Sequence, residues 1–127
     1  NIRGVTIVAL DSTIFLFFVK IIVHNKLFQD ADFSKKKLAV ILKTNETYIS
    51  KALSLHGDKN FKSLINEYRI EQVLDDLNGR KYKKFTIEHI YSEAGFTQQS
   101  TFNRVFKEFT GKTPSLYIQA LEEKKVN

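Results

Sequence analysis

The side chains best suited to surface chemistry cluster at Gln98-Gln99-Ser100-Thr101 and run on through Asn103, Arg104 and Lys107. Threaded among them, Phe102, Val105, Phe106 and Phe109 recur at i, i+3, i+4 and i+7, which is one face of a helix. At about 100° per residue, Ser100 and Arg104 fall opposite that stripe. Asn103 and Lys107 flank them, and Gln99 stands at the N-terminal edge. A face that needed only to be solvated would more often carry Glu and Lys. These groups match the edges of bases in a DNA major groove. Arg can donate two bonds to guanine, Gln or Asn can pair both ways with adenine, and the Thr methyl touches thymine. They also lie in the first two turns, where a recognition helix meets base edges. For one helix taken alone, an ordinary solvated face remains the simpler account.

A second face changes that balance. Ile49, Ala52 and Leu53 form an apolar arc, with Thr47 and Lys51 opposite and Ser50 beside them. The two stretches belong to an internal repeat. "DKNFKSLI" (58–65) aligns with "GKTPSLYI" (111–118), and at the same offset Ile49, Lys51 and Leu53 align with Phe102, Arg104 and Phe106. Each half reads as a short helix, a tight turn and an amphipathic second helix, followed by a Lys-containing turn and a third helix. The first three of these parts make the helix-turn-helix pattern. Two such faces in register on a basic chain favour nucleic acid over plain solvation.

Other chemistries find little support. The chain has no Cys, which removes disulfides, thiol nucleophiles and cysteine metal sites. His24, His56 and His89 are far apart and lack i, i+4 partners, so no metal site is expected. Asp75 and Asp76 are adjacent on a helix and point about 100° apart, unsuited to sharing a substrate. No phosphate-cradling Gly loop and no Ser-His-Asp arrangement appears. We expect no catalytic residue, no cofactor and no enzyme activity. The net charge of +6 and a pI of about 9.5 favour an anionic partner, nucleic acid or an acidic membrane surface.

The elements that must hold these faces can be read from helix punctuation. With one Pro, five Gly and no long alternating segment, the 127 residues read as all-α, about seven helices around one core. Ser34 caps "KKKLAVIL", Lys43-Thr44-Asn45 turns, Asn45 caps "ETYISKAL", and Gly57-Asp58 closes it. Asn60 caps a long helix whose Phe61, Leu64, Ile65, Tyr68, Val73, Leu74 and Leu77 form a stripe, ended by Asn78-Gly79. Thr86 caps "IEHIYSEA", with Gly95 at its stop. Thr113 caps the last helix, and Pro114 takes the first helical position, where its missing N–H costs nothing.

The residues Ile90, Glu93, Ala94, Gly95, Phe96, Phe102, Arg104, Phe106, Lys107, Gly111, Thr113, Pro114 and Tyr117 resemble the C-terminal signature of the AraC/XylS family of bacterial transcription regulators. Upstream, Leu38, Ala39, Tyr48, Ile49, Ser50, Phe61, Arg69 and Ile70 are similar to that family's first unit and connecting helix. The resemblance spans residues 27–122. We read a domain over 14–124 behind an apolar leader at 1–13, in which the resemblance implies helix-turn-helix units at 34–53 and 86–109 joined by a helix at 61–77. It also implies that each unit places one helix in the major groove. The base-reading positions it implies are Thr47, Ser50 and Lys51 in the first unit and Gln99, Ser100, Asn103 and Arg104 in the second. The helical wheel alone gives nearly the same set. Asn45, Tyr48, Lys107 and Lys112 are expected at phosphates, whereas Arg80 and Lys81 could equally touch phosphate or belong to a solvated loop. RNA polymerase enters as a partner by the resemblance only. DNA-repair relatives need a reactive Cys, which this chain lacks.

The sequence departs from the family in four places, one being the long loop Asn78–Phe85 with Arg80, Lys81, Lys83 and Lys84. Asp58 stands where Gly is usual, and Tyr91 stands where a small Ala is usual. Residues 14–23, "IFLFFVKIIV", are apolar almost all round where the family has an ordinary amphipathic helix. The stretch is too short to span a bilayer, and joining it to Val5–Leu10 brings Asp11 and Lys20 inside, which makes insertion costly. One core can cover a stripe including Phe18 and Ile22, leaving Phe15, Phe17 or Val19 exposed. The surplus across Phe15–Val23 is expected to meet a second copy of the chain or a sensor region; the simpler alternative is that the leader folds back and Val5–Leu10 covers it within one monomer. With no Met, the sequence reads as a fragment or a processed product; no signal peptide is evident, and a cytoplasmic location is expected. The competing reading is a helical protein- or membrane-interaction module whose DNA contact is incidental.

Overall fold

Capping oxygens stand where the sequence puts them. In the computed structural model, which describes residues 2–55 and 60–126 and side chains over 13–55 and 60–124, Ser34 Oγ accepts from Lys37 N at 3.1 Å. Asn45 Oδ1 accepts from Tyr48 N and Asn60 Oδ1 from Ser63 N, both at 2.8 Å. Thr86 Oγ1 accepts from His89 N at 3.0 Å, and Thr113 Oγ1 from Leu116 N at 3.2 Å. Each bond satisfies one of the amide donors that a helix start leaves unpaired. The resulting helices are α1 (Ile2–His24), α2 (Lys35–Ile41), α3 (Glu46–Leu55), α4 (Phe61–Asn78), α5 (Ile87–Glu93), α6 (Gln99–Thr110) and α7 (Pro114–Val126). Short 3-10 turns lie at Leu27–Gln29 and Lys81–Lys83, and no strand occurs among the described residues. The fold is all-α, as expected. His56 and the expected stop at Gly57-Asp58 lie outside the described residues.

The chain divides into two compact units, Asn1–Ile65 and Asn66–Asn127, with the boundary inside α4. In the first, α3 packs on both α1 and α2. Its core is mostly aliphatic: Ile22, Leu38, Ile49, Ala52, Leu53, Leu64 and Ile65 are buried together with Phe18 and Phe28. On α1, Phe18 and Ile22 are buried as expected, but of Phe15, Phe17 and Val19 only Phe17 is exposed. Phe15 lies one turn from Phe18, and Val19 one turn from Ile22, so both are drawn half under cover. Among the described side chains, the exposed apolar residues of α1 are Leu16, Phe17 and Val23. Among the described residues, no helix is long and apolar enough to cross a membrane.

The second unit is built on rings. Phe102 is fully buried; it stacks on Tyr91 with centroids 4.8 Å apart and meets Phe96 at 5.5 Å and Phe106 at 5.6 Å. Phe106 meets Tyr117 edge-on at 5.5 Å. Ile70, Val73, Leu77 and Ile90 close the cluster. Tyr91, the ring where a small residue is usual, is accommodated by stacking on Phe102. Phe109 corrects the sequence reading. Placed there on the apolar stripe, it is 48% exposed, because it falls in the last turn of α6, beyond the buried Phe106. Two long-range hydrogen bonds anchor α7: Tyr117 Oη donates to Asn78 Oδ1 at 2.9 Å, and Tyr82 Oη donates to Glu122 Oε1 at 2.6 Å.

Candidate nucleic-acid interface

The first face is carried by α3, seated on Ile49, Ala52 and Leu53. Thr47 and Lys51 are exposed; Ser50 and Tyr48 are half-buried. Ser50 Oγ accepts a hydrogen bond from Lys35 Nζ at 2.8 Å. A serine oxygen offers one donor and two acceptor sites, so this contact occupies an acceptor and leaves the hydroxyl proton for an outside acceptor. Asn45 commits its Oδ1 to the helix cap. The preceding turn passes through Lys43 at φ 56°, a left-handed conformation that costs a residue with a Cβ. Lys35 was not singled out in the sequence. Its bond to Ser50 spans fifteen residues, and no local pattern announces it.

The second face is carried by α6. Gln99, Ser100, Asn103, Arg104 and Lys107 are all exposed, above the buried Phe102, Val105 and Phe106. Gly95 makes the turn before it at φ 111°. Gln98, at the N-cap, makes no side-chain capping bond. Arg104 NH1 donates to Glu108 Oε1 at 3.0 Å, one helical turn on, with both side chains more than half exposed. Glu108 has the right spacing for an i, i+4 pair, yet the sequence reading assigned it no role. Gln99, Asn103, Arg104 and Lys107 line one open groove of about 430 Å³ with Ile87, Thr113, Pro114 and Ser115. The groove therefore adds the start of α5 and the start of α7 to the α6 face. Thr113 and Ser115 are polar members that the wheel of α6 could not find.

Three further cations expected at phosphate lie elsewhere in this unit. Lys112 is exposed in the turn before α7, its N–H donating to Thr110 Oγ1 at 3.1 Å. Arg80 donates through NH1 to Tyr82 Oη at 3.0 Å and lies 4.0 Å from Glu122. Lys81 pairs with Asp76 at 3.0 Å. The hydrogen bond to Glu122 holds the Tyr82 phenol above its ordinary value, with the nearby Arg80 pulling the other way. Arg80 and Lys81 thus have carboxylate neighbours within the unit, and neither lines the groove. Among the described residues no cluster of three or more His, Asp or Glu could hold a metal ion.

Comparison with known proteins places this architecture. Residues 38–120 match a family described as a helix-turn-helix domain. Uncharacterised helix-turn-helix-type transcriptional regulators from Staphylococcus aureus strains MSSA476 and MRSA252 are each 33% identical over 86 residues, covering 68% of this chain and 11% of theirs. The chain therefore spans about a tenth of the length of the curated relatives it matches. Two solved structures share the fold. A protein of unknown function from Listeria innocua superposes with a TM-score of 0.73 at 24% identity, covering 84% of this chain and 96% of that one. The C-terminal domain of AraT, a response regulator from Geobacillus stearothermophilus, gives 0.65 at 22% identity, covering 73% and 74%.

Proposed function

The chain belongs to the AraC-type helix-turn-helix family of DNA-binding domains, and from that premise we propose that it reads a specific double-stranded sequence for a bacterial transcription regulator. α3 and α6 are the recognition helices, lying in successive major grooves about one helical turn apart. Thr47, Ser50, Lys51, Gln99, Ser100, Asn103 and Arg104 face base edges; Asn45, Tyr48, Lys107 and Lys112 meet phosphates. Arg80 and Lys81 would have to loosen their contacts with Glu122 and Asp76 to join them. The observation that carries the reading is the α6 surface, where five short or cationic polar side chains stand exposed on a helix fixed from beneath by aromatic packing. Polar groups presented on a rigid element are what base readout requires.

The test is selection of duplexes from a random pool by the purified chain, followed by footprinting on the winner. The expected result is one enriched sequence with two protected segments about one turn apart, and affinity falling steeply with salt. Failure to enrich any sequence would overturn the reading, and protection of a single groove segment would remove the two-helix part of it.

The exposed Leu16, Phe17 and Val23 on α1 support a second partner besides DNA. We propose that a protein surface covers them, that of a second copy or of a sensor region, and that the family's link to RNA polymerase applies to the whole regulator. Sedimentation at micromolar concentration tests the second copy: a monomer unaffected by Phe17→Ser would eliminate it.

A further inference from the structure

Glu108 is poorly placed for helix stability. It lies in the C-terminal half of α6, near the negative end of the helix dipole, where an anion is disfavoured. Its partner Arg104 precedes it, and acid-after-base is the weaker order for an i, i+4 pair. Both partners are more than half exposed, so solvent screens the attraction and such a pair adds little to stability. The acid also sits beside the face that is to meet a polyanion.

We propose that Glu108 is a positioning residue that sets the specificity of the second unit, by holding Arg104 ready for a base and away from the sugar-phosphate backbone. This rests on the reading of Arg104 as a base-contacting residue. The 3.0 Å contact engages one N–H of NH1. A guanidinium has five, so the pair of parallel donors that recognises guanine O6 and N7 remains free. Holding the long side chain in one arrangement also reduces the freedom it must lose on binding. Against phosphate the carboxylate acts in the opposite sense. It repels the backbone and competes for the charge that would make Arg104 a sequence-independent anchor. One acid therefore helps the correct contact and weakens the indiscriminate one.

The experiment measures three affinities: for the selected site, for the same site altered at the base pair that Arg104 reads, and for random duplex. They are taken for the chain, Glu108→Gln, Arg104→Ala and the double variant, with circular dichroism confirming the helix content of each. Glu108→Gln should tighten random-duplex binding by roughly two- to fivefold and steepen the salt slope by about 0.9, as one added phosphate contact would. Discrimination at that one base pair should fall by a similar factor. In the Arg104→Ala background, Glu108→Gln should leave discrimination unchanged. If Glu108→Gln tightened every duplex by the same factor and left discrimination intact, Glu108 would be a general charge and the proposal would be wrong. If Arg104→Ala itself left base preference unaltered, the base-reading role of Arg104 would fail, and the proposal with it.

Discussion

The two helix-turn-helix units share a plan, and each seats its outer helix on a buried apolar face, but they differ in what else holds it. α3 rests on Ile49, Ala52 and Leu53, its start is fixed by the Asn45 cap, and Lys35 reaches across to Ser50 in its second turn. α6 rests on Phe102, Val105 and Phe106, locked among Tyr91, Phe96 and Tyr117, and its N-cap Gln98 makes no capping bond. A helix held from beneath keeps its polar N-terminal groups uncommitted. A helix held also at its end engages part of their capacity. Asn45 and Ser50, both expected at DNA, carry structural hydrogen bonds in the first unit, whereas Gln99, Ser100 and Asn103 stand open in the second. On the proposed reading of both helices as base-contacting, the difference predicts that α6 carries most of the sequence discrimination.

Removing the support should have the largest effect. Phe102 and Ile49 occupy equivalent places in the repeat, and both are fully buried. Phe102→Ala should cost about 3–5 kcal/mol, and Ile49→Ala about 2–5 kcal/mol, through lost transfer energy and the cavities left behind. Denaturant titration would check both. An Ile49→Ala loss larger than that of Phe102→Ala would reverse the ranking of the two supports.

Next come the groups proposed to read bases. Arg104→Ala should weaken the selected site by about 1–3 kcal/mol and relax preference at one position. Lys51→Ala, at the matching place in α3, should relax preference less, because an ammonium is a point donor without the planar fork of Arg. Lys107→Ala should weaken all sequences alike and lower the salt slope by about 0.9. Competition binding against single-base variants separates these effects. Greater relaxation by Lys51→Ala than by Arg104→Ala would break the claim that α6 dominates.

What was legible in the sequence follows the range of the interaction. Helix starts were readable because a cap is local: Ser34, Asn45, Asn60, Thr86 and Thr113 each bond an amide three residues on. The outer faces were readable because helical period alone separates Arg104 from Phe102. Contacts made between elements were not readable. Lys35 on Ser50 and Tyr82 on Glu122 join residues fifteen and forty apart, and nothing local announces such pairs. The same reason explains α1, where periodicity showed too much apolar surface. Only the packing of neighbouring elements decided that Leu16 and Val23, rather than Phe15 and Val19, stay exposed.

The turns give a smaller and reciprocal test. Lys43 adopts φ 56° before α3, and Gly95 adopts φ 111° before α6. Gly95→Ala should cost about 1–2 kcal/mol, since a Cβ disfavours that backbone. Lys43→Gly should gain roughly 0.5 kcal/mol, the relief of strain exceeding the added freedom of the unfolded chain. Thermal melts of both variants would show it, and a loss on Lys43→Gly would mean that its side chain makes an important contact.

The smallest effect belongs to alkaline pH, and it separates the units again. Tyr82 and Tyr68, both in the second unit, are raised above the ordinary tyrosine value of 10.0. For Tyr82 the chief cause is its hydrogen bond to Glu122; for Tyr68 it is desolvation, with Glu67 and Glu71 adding to it. A group whose folded value is raised binds its proton more tightly when folded. Its contribution is therefore complete below about pH 10 and fades as pH climbs through the folded value. Lysines titrate in the same range, so the informative quantity is a difference. Tyr82→Phe should be slightly less stable than the parent chain near pH 8, with the gap closing above pH 10, because the variant has no phenol to ionise. Urea denaturation at pH 8 and pH 10.5 measures that gap, and ultraviolet titration should show the corresponding loss of one late-ionising phenol. A stability gap that stayed constant across this interval would show that the Tyr82–Glu122 bond does not control the ionisation, and that the second unit is no more alkali-sensitive than the first on its account.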